Sequence, residues 1–229
     1  MDITSGLVSR GFNASALSAA RMADDFTVAD AGGWDITGIT FYIYMGGGPP
    51  TAPSPFTALN FQIWDGPPDD PGSSVVYGDT FTNRMTGTGW ANMYRRLESD
   101  PTDSSRPVFF LTTSDVFSLP AGDYWLDWQA DGDALYSGPW QPPVTINGQT
   151  TTGNGKQYFS GAWQEVLDSN LGTPQGLPFI IEGAIPTAVT LSSLTSDSGS
   201  NTPWVLPAAA MLLLAVVGVF LVTSRRLAR

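Results

Sequence analysis

The chain has 229 residues, which is enough for one sizeable hydrophobic core with short appendages. It contains 25 glycines and 18 prolines, and 42% of its residues are hydrophobic, a mixture that excludes disorder throughout and is typical of an all-β domain with many turns. The formal net charge of −11 excludes a nucleic-acid partner, because an acidic domain repels phosphates.

Residues 1–20 are predicted to be a lead-in, either a short helix in SALSAARMADD or a poorly ordered segment. The opening MDITSGLVSRGFNASALSAARM lacks the basic start and the apolar core of a secretory signal peptide. Taken literally, this start would leave the domain in the cytoplasm. We favour a truncated or mis-started N-terminus, because the remainder of the chain has the character of a secreted protein.

Residues 21–184 are predicted to form strands separated by turns. In ITGITFYIY, ALNFQIWDG and DYWLDWQ, large apolar residues occupy every second position, which is typical of strands with one face in the core and one in water. Further predicted strands are DDFTVA, SVVYGDTF, ANMYRRL, RPVFFLTT, KQYFS and LPFIIEG. Eight to ten short strands with proline-rich connections predict an antiparallel two-sheet β-sandwich of jelly-roll type.

Two of these strands place a tryptophan beside hydrogen-bonding side chains on the face opposite the core. A flat ring next to amide and carboxylate groups matches the apolar C–H faces and the hydroxyls of a sugar. We therefore predict a glycan-binding face at Trp64, Gln62, Trp125, Asp127 and Gln129. The alternative is that these tryptophans pack under loops, with a binding rim formed instead by Trp90, Trp140 and Trp163.

Acidic residues also cluster in predicted turns. Asp131 and Asp133 follow the strand DYWLDWQ, and Asp69 and Asp70 lie in another turn. Carboxylate oxygens are the ligands that calcium prefers, so Asp131 and Asp133 are candidate calcium ligands, and no other cofactor is indicated. Their spacing does not match a helix–loop–helix calcium loop, and solvated turn aspartates remain the alternative.

The absence of histidine and cysteine closes most routes to hydrolysis, including Ser-His-Asp triads, Cys-His pairs and the usual zinc sites. Only carboxylate chemistry remains, for which Asp127 and Glu182 on two predicted strands are the candidates. We predict that the protein is not an enzyme. An enzyme that acts on extracellular polysaccharide through carboxylates is kept as an alternative.

The C-terminal part is predicted to be a membrane anchor. Residues 185–203 have the composition of a flexible stalk, and residues 204–222 contain no charge over nineteen positions, which is long enough for a transmembrane helix. The basic tail, residues 223–229, carries three arginines and is expected in the cytoplasm. The part before the tail would then be extracellular, with seven basic and 21 acidic residues and a formal charge of −14.

Two resemblances extend this interpretation. The tail is similar to the C-terminal sorting tails of bacterial surface proteins, although LPxTG and Pro-Glu-Pro signatures are missing. The strings ADDFTVADAGGWDITGITFYIY, FQIWDGPP, LPAGDYWLDWQADGD, GNGKQYFSGAWQEV and GLPFIIEG resemble a family of uncharacterised bacterial secreted domains. This resemblance implies an extracellular β-sandwich of surface or secreted proteins and implies no activity.

The sequence thus predicts a single-pass membrane protein whose extracellular β-sandwich is a binding or adhesion module at the cell surface. Glycans or other surface polymers are the predicted partners, together with the membrane. The alternative function, which involves no ligand binding, is that of a purely structural component of a surface layer or matrix.

Overall fold

The computed structural model describes residues 6–97 and 99–186. The chain divides into two compact units, residues 1–188 and residues 189–229, and all described residues belong to the first unit. Among them, no helix is long and apolar enough to cross a membrane. The predicted membrane helix, the basic tail and all but the first two residues of the predicted stalk lie outside the described residues.

The described residues fold into two antiparallel sheets, so the prediction of an all-β, two-sheet architecture is confirmed. The strands are β1 (Phe12–Asn13), β2 (Arg21–Val28), β3 (Trp34–Gly46), β4 (Phe56–Trp64), β5 (Val75–Asp79), β6 (Gly87–Tyr94), β7 (Pro107–Thr112), β8 (Phe117–Leu119), β9 (Gly122–Gly132), β10 (Ser137–Gln141), β11 (Lys156–Phe159), β12 (Ala162–Glu165) and β13 (Phe179–Ala184). One sheet, which we call the β3 sheet, has the order β1-β10-β3-β7-β6, with β8 and β13 also paired to β3. The other, the β9 sheet, has the order β12-β11-β2-β9-β4-β5.

The core lies between the two sheets and is formed by the alternate residues that the sequence pattern predicts to face inward. Ten of them are 0–1% exposed, namely Ile39, Phe41 and Ile43 from β3, Leu59, Phe61 and Ile63 from β4, Phe109 and Leu111 from β7, and Leu126 and Trp128 from β9. The Phe41 ring lies 5.4 Å from the Trp128 ring, centroid to centroid. The Trp128 indole donates to the buried Gln141 side chain at 2.9 Å, so its polar atom is satisfied inside the core.

The outward face of β4 and β9 is buried, which the sequence pattern does not predict. Gln62, Trp125, Asp127 and Gln129 are all less than one tenth exposed. Loops lie over this face: the Gln129 amide, for example, donates to the Thr80 carbonyl at 2.6 Å. A period of two distinguishes the two faces of a strand, but it carries no information about loops that cover one of them.

The helix suggested for SALSAARMADD is wrong. Residues 16–18 form a single 3₁₀ turn, and strand β2 begins at Arg21. Ala14 and Ala20 are fully buried, and the Ala130 amide of β9 donates to the Ala14 carbonyl at 2.8 Å. The small alanines let this segment pack closely against β9, and tertiary packing overrides their helix propensity.

Candidate functional site

The outward face of the β9 sheet brings together side chains from five strands. Strand register aligns them in rows, because directly paired residues point to the same side of a sheet. One row runs from Glu165 through Lys156, Ala23 and Asp127 to Gln62. The next row on one side contains Trp163, Tyr158 and Arg21, and the next on the other side contains Asp25, Trp125 and Trp64.

An open groove of about 610 Å³ lies at one side of this face. We call it the Trp125 groove. Its lining carries both hydrogen-bond donors and acceptors and includes Asp69, Asp70, Trp125, Asn154, Lys156 and Glu165. Asp69, Asp70, Asn154 and Glu165 are exposed, while Trp125 is 6% exposed at the base of the groove.

Lys156 holds the groove's loop and its aromatic base together. Its ammonium donates to Asp69 Oδ2 at 2.8 Å and lies 5.6 Å from the centroid of the Trp125 ring. The ion pair ties the turn after β4 to strand β11, and the ring contact adds a cation–π attraction. The side chain of Asp69 remains 43% exposed, so this pair is open to solvent and to a ligand.

The far wall of the groove is fixed by Asn154. With its side-chain nitrogen facing β2, Asn154 donates to Asp25 Oδ1 at 2.8 Å and to Asp24 Oδ1 at 3.2 Å. Asp24 also accepts from the Leu177 amide at 2.6 Å and is buried, and this burial raises the pKa of Asp24 to about 7. The loop that contributes Asn154 is thereby positioned by β2.

Asp127 lies beneath the same face and is fully buried. One oxygen, Oδ2, accepts from the Gln62 amide at 2.7 Å and from the Trp64 indole at 3.1 Å. The other, Oδ1, lies 3.5 Å from Arg21 Nε, a separation at which the pair attracts electrostatically without a hydrogen bond. Burial raises the pKa of Asp127 to about 6, although Arg21 and the two hydrogen-bond donors oppose this rise.

Arg21 in turn lies against two aromatic rings. Its guanidinium carbon is 4.6 Å from the Tyr158 centroid and 5.2 Å from the Trp163 centroid. Tyr158 and Trp163 are a direct cross-strand pair of the β11–β12 hairpin. The aromatic pair therefore shields the Arg21–Asp127 ion pair from solvent, which makes this part of the face a supporting structure beside the groove.

The structure places the five predicted glycan ligands in two different roles. Trp125 lines the groove, and Trp64 is its partly buried cross-strand neighbour. Gln62, Asp127 and Gln129 are buried, and their polar atoms bond to Trp64, to Arg21, to Thr80 or to one another. Only Trp125 of the five lines the groove.

Of the two predicted calcium ligands, only Asp133 lies in the turn after β9, whereas Asp131 belongs to the end of β9 itself and pairs with Ala58 of β4. Asp131 accepts from the Gly132 amide and Asp133 from the Leu135 amide, at 2.8 and 2.9 Å. Within residues 6–97 and 99–186, no group of three or more acidic side chains is placed to hold a metal ion. Both aspartates accept from backbone amides close by in the chain, and the contact of Asp133 with the amide two residues later is one that stabilises turns.

The carboxylate pair considered for hydrolysis is not brought together. Asp127 points outward from the β9 sheet, whereas Glu182 pairs with Gly38 on the outward face of the β3 sheet. The two sheets and the core separate these residues, since packed sheets lie about 10 Å apart. A glycosidase needs its two carboxyl groups about 5–10 Å apart across one bond, so this pair cannot serve as one.

Asn154, Lys156 and Glu165 are groove residues that sequence reasoning missed. The sequence does contain a signal for Lys156 and Glu165. The dipeptide Ser160-Gly161 separates KQYF from AWQE and forms a two-residue turn in which both residues have positive φ. Turns of this kind join the two strands of a hairpin. Recognising this hairpin pairs Lys156 with Glu165. No sequence signal brings Asp69 to Lys156, because 87 residues separate them.

Comparison of the chain with family models, with curated proteins and with solved structures finds no match. The resemblance to secreted bacterial domains therefore stays a prediction, and the groove is the feature of the structure that points to a function.

Proposed function

We propose that the domain is a surface binding module that takes a glycan segment in the Trp125 groove. The observation that carries this proposal is one open groove with an indole at its base and solvent-exposed carboxylates, an amide and an ammonium on its walls. Its volume of about 610 Å³ falls in the range of about 300–1,000 Å³ that small-molecule sites occupy.

The chemistry of the walls suits a polyhydroxylated ligand. A sugar ring presents hydroxyl groups that donate and accept at once, and the groove offers acceptors in Asp69, Asp70 and Glu165 and a donor in Lys156. The indole edge of Trp125 supplies the apolar contact for C–H groups. Because Lys156 already lies over the Trp125 ring, a sugar would bind beside the ammonium and share the Asp69 carboxylate with it.

The buried residues beneath the face fit this proposal as support. Asp127 fixes the Trp64 indole and Gln62, and Trp64 lies directly opposite Trp125 on the neighbouring strand. A base that is already ordered loses little conformational entropy on binding, which favours affinity for a flexible ligand.

The same proposal includes the location of the domain. The jelly-roll sandwich lies outside the cell and is held by a transmembrane helix at residues 204–222, and the three arginines after that helix lie in the cytoplasm. Because the chain has no cysteine, a single Asp133→Cys variant can be labelled on intact cells with a membrane-impermeant maleimide. Labelling is expected, since Asp133 is exposed. Labelling only after lysis would contradict the extracellular placement.

A structural role without a small ligand is the second candidate. The observation that favours it is the burial of Gln62, Trp125, Asp127 and Gln129, since a face built for recognition usually leaves more polar atoms free. A surface-layer or matrix component needs a rigid sandwich of this kind and no occupied groove.

A glycan array probed with the purified full chain separates the two candidates. We expect binding to a restricted set of glycans, and the Asp70→Asn variant should bind them about tenfold or more weakly, because hydrogen bonds to a charged group contribute about 1.5–3 kcal/mol. Asp133→Asn is the matched control: both aspartates are exposed and accept from the backbone amide two residues later, but only Asp70 lines the groove.

Binding that is equal in Asp70→Asn and in the wild type would place the ligand elsewhere. A full chain that is folded and yet binds no glycan on the array would reject the binding proposal and leave the structural role.

A further inference from the structure

Basic side chains are concentrated at one end of the β3 sheet, on the face opposite the Trp125 groove. The sequence up to residue 186 contains seven basic residues, and four of them, all arginines, lie at this end, namely Arg10, Arg95, Arg96 and Arg106. Among the residues that the structure describes, only Arg106 of the four has a carboxylate partner, Asp103. In an outer part with a formal charge of −14, this uneven distribution needs an explanation.

A pocket of about 430 Å³ opens among these arginines. We call it the Tyr44 pocket. Its wall includes Arg10 and Arg106, the serines at positions 105 and 137, and the ring of Trp140. The Trp140 indole donates to Ser137 Oγ at 3.1 Å, which holds this ring in place at the rim.

The phenol of Tyr44 supplies the second, independent observation. Tyr44 is 4% exposed and lines the pocket, and its hydroxyl has no hydrogen-bond partner within residues 6–97 and 99–186. Gly11 lies against this hydroxyl, since a Cβ at residue 11 would be 2.8 Å from it. The Tyr44 hydroxyl is not one of the buried polar atoms that lack a partner, so it is open to the pocket and can donate a hydrogen bond to a ligand there.

The protonation of Tyr44 suits this role. Burial raises the pKa of Tyr44 to about 12, even though Arg106, Arg95 and Arg10 favour its ionised form. The phenol is therefore neutral at physiological pH and can donate a hydrogen bond.

The neighbouring charges leave the pocket positive. Arg95 uses its N–H groups on the Ser9 and Arg10 carbonyls and on Thr145, and none of these is a carboxylate. Two carboxylates lie nearby. Asp168 accepts from four backbone amides, and Asp103 accepts from the Ser105 amide besides pairing with Arg106. Arg10 is exposed, and its guanidinium group has no hydrogen-bond acceptor or carboxylate partner within residues 6–97 and 99–186.

We propose that the Tyr44 pocket binds an oxyanion, a carboxylate, sulfate or phosphate group, held by the Arg10 and Arg106 guanidinium groups and the Tyr44 hydroxyl. Guanidinium groups match such oxygens in pairs, and charge-assisted hydrogen bonds of this kind are about twice as strong as neutral ones. The pocket is larger than a single ion, so an acidic sugar that carries the group also fits. This site is independent of the glycan proposed for the Trp125 groove.

To test this, the full chain is titrated separately with sodium sulfate, sodium phosphate, sodium glucuronate and glucose at constant ionic strength. The readout is the NMR resonance of the Trp140 indole N–H. The three anions are expected to shift this resonance saturably, and glucose is expected not to. Tighter binding of glucuronate than of sulfate and phosphate would identify a sugar-borne carboxylate, and equal binding would identify the oxyanion alone. Both results support the site.

Two variants locate the anion. Arg10→Gln should weaken binding about tenfold, as the loss of charge-assisted hydrogen bonds implies. Tyr44→Phe, which removes only the hydroxyl, should weaken it about threefold to tenfold by the loss of one hydrogen bond. Lys156→Gln is the matched control, because it removes one positive charge on the opposite face of the sandwich and should change binding less than twofold.

Three results would overturn the proposal: no saturable shift with any anion, a shift with glucose as large as with glucuronate, or equal weakening in Lys156→Gln and Arg10→Gln. Exposed Arg10 has no carboxylate partner in the described part of the chain, so its variant is expected to fold, and a wild-type tryptophan spectrum checks this. Because Trp140 and Trp125 lie on opposite faces, failure here leaves the glycan proposal untouched.

Discussion

Asp127 and Asp24 are buried carboxyl groups with raised pKa values, about 6 and about 7, because burial disfavours their charged forms. Asp79, Asp103 and Asp168 are opposite cases, since hydrogen bonds to their charged forms lower their pKa values. The same residue type thus has two contrary effects on stability in one domain, according to what each carboxyl contacts.

We predict that these five groups place maximum stability near pH 4. Between about pH 4 and 7 the folded chain keeps protons on Asp24 and Asp127 that the unfolded chain has lost, so the unfolding free energy falls as pH rises, by up to about 1.4 kcal/mol per pH unit for each group. Below about pH 4 the unfolding free energy falls as pH falls. The reason is that Asp79, Asp103 and Asp168 have lowered pKa values in the folded chain, so the unfolded chain binds these protons first. Urea denaturation from pH 2 to 8 measures both slopes.

The variant Asp127→Asn separates the contribution of that residue. It cannot ionise, so the fall in unfolding free energy between about pH 4 and 6 should be shallower than in the wild type. A wild-type slope in Asp127→Asn would mean that Asp127 is ionised throughout, in conflict with its burial.

Asp168 acts at the scale of elements, because it joins the N-terminal segment to a distant loop. Its Oδ2 accepts from the Val8 and Ser9 amides at 2.9 and 2.8 Å, and its Oδ1 accepts from the Asn170 and Leu171 amides, both at 3.0 Å. Strand β1 begins three residues after Ser9 and pairs with β10 at an edge of the β3 sheet. Asp168 therefore helps to dock this edge strand, together with Arg95, which donates to the Ser9 and Arg10 carbonyls.

We predict that Asp168→Ala lowers the unfolding free energy by about 2–4 kcal/mol, because buried amides lose a charged acceptor. Hydrogen exchange should accelerate most at residues 8–13, which would detach first. Asp133→Ala, which removes a single exposed turn contact, should cost less than about 1 kcal/mol. Unchanged protection at residues 8–13 in Asp168→Ala would show that the segment is held by other contacts.

The strands themselves differ in how far the sequence reveals them. In β3, β4 and β9, large apolar residues occupy every second position and face the core, so the sequence pattern alone predicts these strands. Strand β10 contains Pro139, and β1 has only two residues, so neither carries a strand pattern. Strand β12 has four residues and is visible only through the Ser160-Gly161 turn before it.

At the scale of the whole molecule, the two outward faces of the sandwich differ in chemistry. The β9 sheet carries the Trp125 groove with its acidic walls, and the β3 sheet carries the Tyr44 pocket with its arginines. Taken together, the two binding proposals predict that one domain contacts a glycan on one face and an acidic group on the other. Such bivalent contact raises avidity without any new interaction at either site.

The candidate site is predictable from the sequence only in part. The place of Trp125 beside polar residues on a strand points to it, and the turn that holds Asp69 and Asp70 points to these two. Asp127 and Gln62 have the same pattern and yet are buried. The partners of Asp127, which are Arg21, Gln62 and Trp64, all lie on neighbouring strands. Interactions of this kind depend on strand order, which a pattern within single strands does not contain.

The most direct test of the central claim follows the indole N–H resonances of the eight tryptophans while the full chain is titrated with the glycans that the array selects. We expect the Trp125 resonance to shift saturably, with a smaller change at its neighbour Trp64, while Trp90 and Trp140 of the β3 sheet stay fixed. The resonance that is missing from the spectrum of the Trp125→Phe variant is assigned to Trp125. A glycan that binds and leaves Trp125 unmoved, or an array with no binding glycan, would contradict the account.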